Sequence, residues 1–253
     1  MFSRLLTGNR RPKPCSAQAP ADTRIYAIGD IHGRVDLLKQ AHARILADAR
    51  NASVKRKVII YVGDYIDRGS ESREVIDLLL DSPLPDFELV HLRGNHEQAL
   101  LDFLADTAIA PEWFYYGGDA TLSSYGVARP EPGSGPEGLL KVQSDLKTKL
   151  PQRHLAFYRS LGLYHREGDY LFVHAGIRPG IPLEKQSEHD LLWIREAFLQ
   201  SDADHGSVIV HGHTITPRPE VKHNRIGIDT GAYATGRLTC LRIERDEREF
   251  LPT

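Results

Sequence analysis

Cysteine is nearly missing from this chain: of 253 residues only Cys15 and Cys240 are cysteine, one in a polar N-terminal stretch and one in a late apolar run. So few thiols exclude a disulfide framework and lead to the expectation of a reducing compartment. Long apolar runs are absent as well. No stretch approaches the roughly 20 residues needed to span a bilayer, and the opening Met1-Phe-Ser-Arg-Leu-Leu is too short for a secretory h-region. The expected localisation is cytoplasmic, with no membrane partner. A charge excess is the third absence: 32 basic residues stand against 34 acidic ones, a formal net charge of −2. Nothing in that balance favours a nucleic-acid backbone as partner. No internal repeat is visible, and no regulatory or targeting segment that would imply an obligate partner subunit.

What is present is enough apolar sequence for a sizeable core, 41% of residues. Residues 1–22, with Arg4, Arg10, Arg11, Lys13 and three prolines, read as a flexible tail, and 23–253 as one domain. Three apolar runs, 24–28, 57–62 and 88–92, read as buried strands, separated by helices over 35–50 and 71–80, the latter stopped by Asp81-Ser-Pro-Leu-Pro85. A short helix follows over 97–104. From 105 to about 140 the periodicity is broken by Trp113-Phe-Tyr-Tyr-Gly-Gly-Asp119 and by turn-formers, a segment able to wall a cleft. A helix over 152–161 leads into a strand-rich half, 163–165, 170–173, 207–210, 225–228 and 238–243, with one helix near 188–199. Because both halves end strands in polar blocks, the expected fold is α/β, with two packed sheets and the site at their joint edge.

The polar blocks carry the chemistry. Asp30 and His32 are two apart, so on an extended segment they share a face. Asp64, Asn95, His174 and His213 stand at four further strand ends. Three imidazoles, two carboxylates and an amide oxygen form a mixed N/O set suited to Mn, Fe, Zn, Ni or Co, and three histidines disfavour Mg. Six ligands exceed one tetrahedral ion but serve two ions that share a carboxylate, for which the central Asp64 is the choice. Two such ions, roughly 3.5–4 Å apart, can generate a hydroxide and clamp a phosphoryl group during in-line displacement. His96, beside Asn95, can protonate a leaving oxygen, with Asp67 orienting its ring. Arg68 and Arg93 can hold phosphate oxygens through planar donors, and Arg195 is a third basic candidate on its helix face. His211 reads as lying behind the ligands, with replacement of His213 as ligand the alternative. His42, His154, His165, His189, His205 and His223 read as surface or locally bonded, and His91 as part of a strand.

Gly29-Asp-Ile-His-Gly33, Gly63-Asp-Tyr-Ile-Asp-Arg-Gly69, Gly94-Asn-His-Glu97, His174-Ala-Gly and Gly212-His-Thr, in this order, resemble the calcineurin-like metallophosphoesterase superfamily. The Asp-Arg-Gly and Arg-Gly-Asn-His-Glu wording resembles its phosphoprotein phosphatase family, in particular the short bacterial and phage serine/threonine protein phosphatases. The resemblance runs from about residue 24 to 245. It implies a four-layer αββα metallophosphoesterase fold and a catalytic domain over 23–253. It also implies a dinuclear centre, commonly Mn-activated, that hydrolyses phosphomonoesters of a phosphorylated protein or small molecule without a phosphoenzyme. One metal would take Asp30, His32 and Asp64, and the other Asp64, Asn95, His174 and His213. His96 would be the acid with Asp67 behind it, and Arg68, Arg93 and Arg195 would contact phosphate. Ile228-Asp-Thr-Gly-Ala-Tyr233 resembles the family's last core block, whose aromatic closes the cleft. The alternative is a bis(5'-nucleosyl)-tetraphosphatase or related nucleotide pyrophosphohydrolase, which would cut an anhydride with the same metals.

Overall fold

The computed structural model describes residues 17–50, 52–81 and 84–251. Its first half is a β-α-β-α-β unit: β1 (Thr23–Ile28), α1 (Val35–Ala49), β2 (Arg56–Tyr61), α2 (Ser72–Asp81) and β3 (Glu88–His91). The three strands pair in parallel, in the order β1-β2-β3. A helical stretch follows: α3 (Asn95–Ala105), α4 (Ala110–Tyr115), α5 (Gly118–Ser124), α6 (Gly135–Lys149) and α7 (Gln152–Ser160). The second half contains β4 (Tyr164–Glu167), β5 (Tyr170–Val173), α8 (Glu188–Trp193), α9 (Glu196–Leu199), β6 (Val208–His211), β7 (Glu220–Val221) and β8 (Arg225–Gly227). The chain closes with α10 (Ala232–Thr235), β9 (Cys240–Glu244) and β10 (Glu247–Leu251), the last two adding antiparallel strands to the first sheet. Two five-stranded sheets result, β10-β9-β1-β2-β3 and β4-β5-β6-β8-β7.

Alternation along the strands sorts the side chains into layers. Ile25 and Ala27 of β1, and Val58 and Ile60 of β2, meet Tyr170, Phe172, Val208, Val210 and Ile226 of the second sheet, a sheet-on-sheet core. The opposite faces, Tyr26 and Ile28 with Ile59 and Tyr61, pack under α1, α2 and α3. Leu171, Val173 and Ile209 on the far side of the second sheet pack with Leu191, Ile194 and Phe198. The fold is thus the expected four-layer αββα arrangement. Both sheets have parallel central strands, β1-β2-β3 and β5-β6-β8, so six C-terminal strand ends supply the loops of one region.

Four details differ from expectation. The tail predicted over 1–22 does not include 17–22: Ala17 and Ala19 are buried in the inter-sheet core, and the Ala19 amide donates to Arg245 O at 2.8 Å. Two small side chains fit between the sheets where a polar tail was read, while residues 1–16, with Cys15 and the four basic residues, lie outside the described residues. The segment 105–140 is largely helical. Its helices are short, and the left-handed Gly117 (φ 96°) separates α4 from α5, so no window is long enough to show a 3.6-residue repeat. The helix expected over 188–199 breaks at Ile194 and Arg195, which leave helical backbone angles. Finally, β7 and β10 were not anticipated; both are edge strands without a strong alternating pattern. No described helix is long and apolar enough to cross a membrane.

Candidate metal centre

Each polar block leaves the C-terminal end of a parallel strand and turns sharply. Among the described residues, seven non-glycines have positive φ, and five of them are His32, Asp64, Asp67, Arg68 and His213. Left-handed backbone at β-sheet ends costs on the order of 1–3 kcal/mol per residue, and it persists where surrounding bonds over-determine it. Those bonds are present. The amides of Ile31 and His32 donate to Asp64 O at 3.0 and 2.9 Å, and the His213 amide donates to Asp30 Oδ2 at 2.9 Å, tying the two sheets together. A Cβ on Gly94 would collide with Asp64 Oδ1, so only glycine lets these two loops approach.

Glu97, three residues into the third block, holds the neighbouring loop. Its carboxylate accepts from the amides of Asp64 (2.9 Å), Tyr65 (2.8 Å), Ile66 (3.3 Å) and Gly94 (2.9 Å). Motif pattern alone leaves Glu97 without a role. Its signal was the acid at the third position of a helix, a place that reaches back to free amides.

Asp64 lies at the centre. Its Oδ2 is 3.5 Å from His32 Nε2 and 3.8 Å from His96 Nε2, while its Oδ1 is 3.4 Å from His174 Nε2. Two trios with metal-ligand spacing result, His32-Asp64-His96 and Asp64-His174-His213, each with its atoms within 4.8 Å of one another. Asn95 Oδ1 faces His174 Nε2 and His213 Nδ1, both at 2.8 Å. His174 Nδ1 is engaged with Val62 O at 2.9 Å, and burial pushes its pKa down to about 3, so its Nε2 carries no proton. A bare nitrogen lone pair thus points at a carbonyl-type oxygen, an arrangement that a cation between them satisfies. The same holds for His32, whose Nδ1 meets Ile66 O at 2.8 Å and whose pKa burial drives well down.

The carboxyls agree with this assignment. Burial, followed by Asp229 and Asp64 nearby, pushes Asp30 well above the usual carboxylate range; burial and then Glu97 do the same to Asp64. Asp30 Oδ1 and His213 Nε2 are buried without a hydrogen-bond partner. Acids whose buried charge is costly without a counter-ion, neutral imidazoles and orphaned lone pairs fit divalent cations. Asp30 itself stands outside both compact trios, and the first of them places His96 beside His32 and Asp64.

The centre opens into a cleft of about 290 Å³ lined by His32, Asp64, Asn95, His96, His213 and Asp229 on its floor and by Arg68, Arg195, Tyr116, Trp193, Thr214 and Ile215 on its walls. His96 Nδ1 meets Asp67 Oδ2 at 2.7 Å, as the residues implied. Burial and then the Arg68 charge push His96 down to about 3, and burial pushes Asp67 up to about 7. Arg68 donates to Tyr233 Oη at 3.1 Å and stacks 4.9 Å over that ring. Arg195 lines the cleft from the break between α8 and α9 rather than from a helix face. Arg93 does not line it: its guanidinium donates to Gln98 Oε1 (2.9 Å) and Glu188 Oε1 (3.0 Å). His211 faces away, 3.4 Å from Arg225 Nη1, beside Phe198.

The sequence pattern of calcineurin-like phosphoesterases matches residues 23–243. Among named relatives, the chain is 29% identical over 230 residues to serine/threonine-protein phosphatase 1 of Salmonella typhimurium, covering 87% of this chain and 92% of that one. It is 24% identical over 245 residues to the asymmetrical bis(5'-nucleosyl)-tetraphosphatase of Bacillus thuringiensis, covering 89% and 93%. A solved structure provisionally assigned as a diadenosine tetraphosphatase superimposes with a TM-score of 0.61 over 92% of this chain and 98% of that one, at 18% identity, a likeness of fold alone. With one family pattern running from β1 into β9 and the histidine–aspartate cluster at the joint edge of its two sheets, the chain belongs to the calcineurin-like phosphoesterase family.

Proposed function

We propose that this protein is a metal-dependent phosphomonoesterase that acts on phosphoserine and phosphothreonine in proteins, with two Mn ions as its cofactors. The observation that carries the reading is the cleft: about 290 Å³, with Arg68 and Arg195 as its two lining cations. That space and charge suit one phosphoryl dianion on a short side chain. A tetraphosphate bridging two nucleosides is several times larger and more anionic, and the rest of the wall offers it Tyr116, Trp193, Thr214 and Ile215 rather than further cations. The greater identity to the Salmonella protein phosphatase supports the same choice.

Asp30, His32 and Asp64 would hold one cation and Asp64, Asn95, His174 and His213 the other. When bound, the pair supplies Lewis-acid polarisation of the phosphoryl oxygens and lowers the pKa of the attacking water. The planar donors of Arg68 and Arg195 orient the phosphate and meet the charge that builds on its equatorial oxygens. Tyr233 keeps Arg68 in place from the far side. His96 is neutral in its buried setting, its Nδ1–H donating to Asp67, which fixes the ring; the arriving phosphate charge favours uptake of a solvent proton on Nε2. That Nε2 proton passes to the leaving oxygen. In this reading Arg93 is a rim residue held by Glu188 rather than a phosphate ligand.

A second reading, asymmetrical cleavage of dinucleoside tetraphosphates, rests on the relative from B. thuringiensis. Turnover of a phosphothreonine peptide and of diadenosine tetraphosphate, compared as kcat/KM at equal Mn, separates them. The peptide is expected to be the better substrate by at least about tenfold. A dinucleotide preference of that size would replace the first reading with the second.

A further inference from the structure

Asp67 stands behind His96, and two of the three side chains that bind its carboxylate come from the helical segment between α3 and α6. We propose that Trp113 of α4 and Thr121 of α5 are positioning residues for leaving-group protonation: they lock the Asp67 carboxylate in the one orientation that sets the His96 ring over the cleft. The inference rests on the phosphomonoesterase reading above and assigns the 113–121 segment a part in it.

Asp67 is fully buried and sits at φ 70°. Thr121 Oγ1 clamps it at two points, donating to Oδ1 at 2.5 Å and accepting from the Asp67 amide at 2.9 Å. The Ser72 hydroxyl also accepts from that amide, at 3.1 Å. On the other oxygen, Oδ2, the indole Nε1 of Trp113 donates at 3.0 Å beside the 2.7 Å contact to His96 Nδ1. With its two oxygens engaged by three side chains, the carboxylate cannot swing without losing a charge-assisted bond. The indole is itself fixed. It is fully buried, lies 4.8 Å from the Phe103 ring, and passes so close to Gly118 that a Cβ there would overlap it. The same turn reaches the phosphate arginine, since the Arg68 amide donates to Gly117 O at 3.2 Å. If Trp113 and Thr121 were only core residues whose donors had found an acceptor, their loss would weaken folding without regard to the leaving group.

The test uses Trp113→Phe and Thr121→Val in the full-length Mn-loaded protein, with Thr121→Ser as the conservative control, on phenyl and p-nitrophenyl phosphate. The expected result is a fall in kcat of about tenfold or more on phenyl phosphate, but below about threefold on p-nitrophenyl phosphate, whose leaving group needs no proton. KM and metal content are expected to stay unchanged, Thr121→Ser to restore the rate, and neither substitution to add to His96→Asn. In metal-free protein, the His96 Nδ1–H resonance of wild type is expected to broaden or disappear in both variants. An equal fall on both esters, additivity with His96→Asn, or an undisturbed resonance overturns the inference. If Trp113→Phe does not fold, Thr121→Val decides alone. If wild type hydrolyses no phosphomonoester, the functional reading fails first and takes this inference with it.

Discussion

Asp64 presents each carboxylate oxygen to a different set of imidazoles, Oδ2 to His32 and His96 and Oδ1 to His174, which is the placement a bridging ligand requires. On the proposed mechanism Asp64→Asn should lower turnover by more than about 100-fold and reduce bound metal below two ions per chain. Metal analysis of the purified variant alongside steady-state kinetics checks this, and two tightly bound ions would refute the bridge. His96 differs in kind, because Asp67 rather than a metal-type partner occupies its Nδ1. His96→Asn is expected to retain both ions while losing about 100-fold in kcat on esters with poor leaving groups.

At the scale of elements, the centre depends on how α3 starts. Glu97, in the first turn of that helix, collects four amides from two loops, so one carboxylate sets the spacing between the blocks that follow β2 and β3. Glu97→Gln would turn an amide NH₂ toward donors. It should cost about 2–4 kcal/mol in urea unfolding and weaken metal binding by about 10–100-fold. A second element contact sets an acid limit. On α1, buried His42 meets Tyr61 Oη of β2 at 2.8 Å, with the His91 ring stacked on the Tyr61 ring and Cys240 nearby. Burial lowers the His42 pKa to about 4, below its ordinary 6.5. Between those values the unfolded chain binds a proton that the folded chain refuses, so stability falls as pH drops from 6.5 to 4 and is unaffected by this group above 6.5. His42→Gln, which can still bond Tyr61 but cannot titrate, should flatten that part of a pH series of unfolding free energies by about 2–3 kcal/mol.

For the whole molecule, the two sheets contribute opposite walls of the centre, Asp30, His32, Asp64 and Asn95 from the first and His174 and His213 from the second, so metal binding and sheet packing are linked. Ligands that bind only the folded chain stabilise it by about 3 kcal/mol at a hundred times their Kd. Chelation should therefore lower Tm by roughly 5–10 °C, and adding Mn back should restore it. A Tm indifferent to chelator would argue against a structural coupling between the centre and the sheets.

The sequence by itself determined eight of the ten described strands and the polar blocks at their ends. Runs such as Lys57–Val62 are apolar over a strand's length, and side chains that hold cations are too polar to be read as core. It determined an α/β fold with two packed sheets as well, because both halves alternate apolar strands with polar strand ends, while the αββα layering is what the family resemblance implied. Only the tertiary structure decided which of those side chains meet. Arg93 and Arg195 are equivalent as letters, yet Glu188 draws one to the rim while a helix break delivers the other to the cleft. Trp113 and Thr121, whose short helices carry no readable period, reach Asp67 across 46 and 54 residues. Local pattern reports burial and backbone preference, whereas a partner that distant is selected by packing, which no window of neighbouring residues contains.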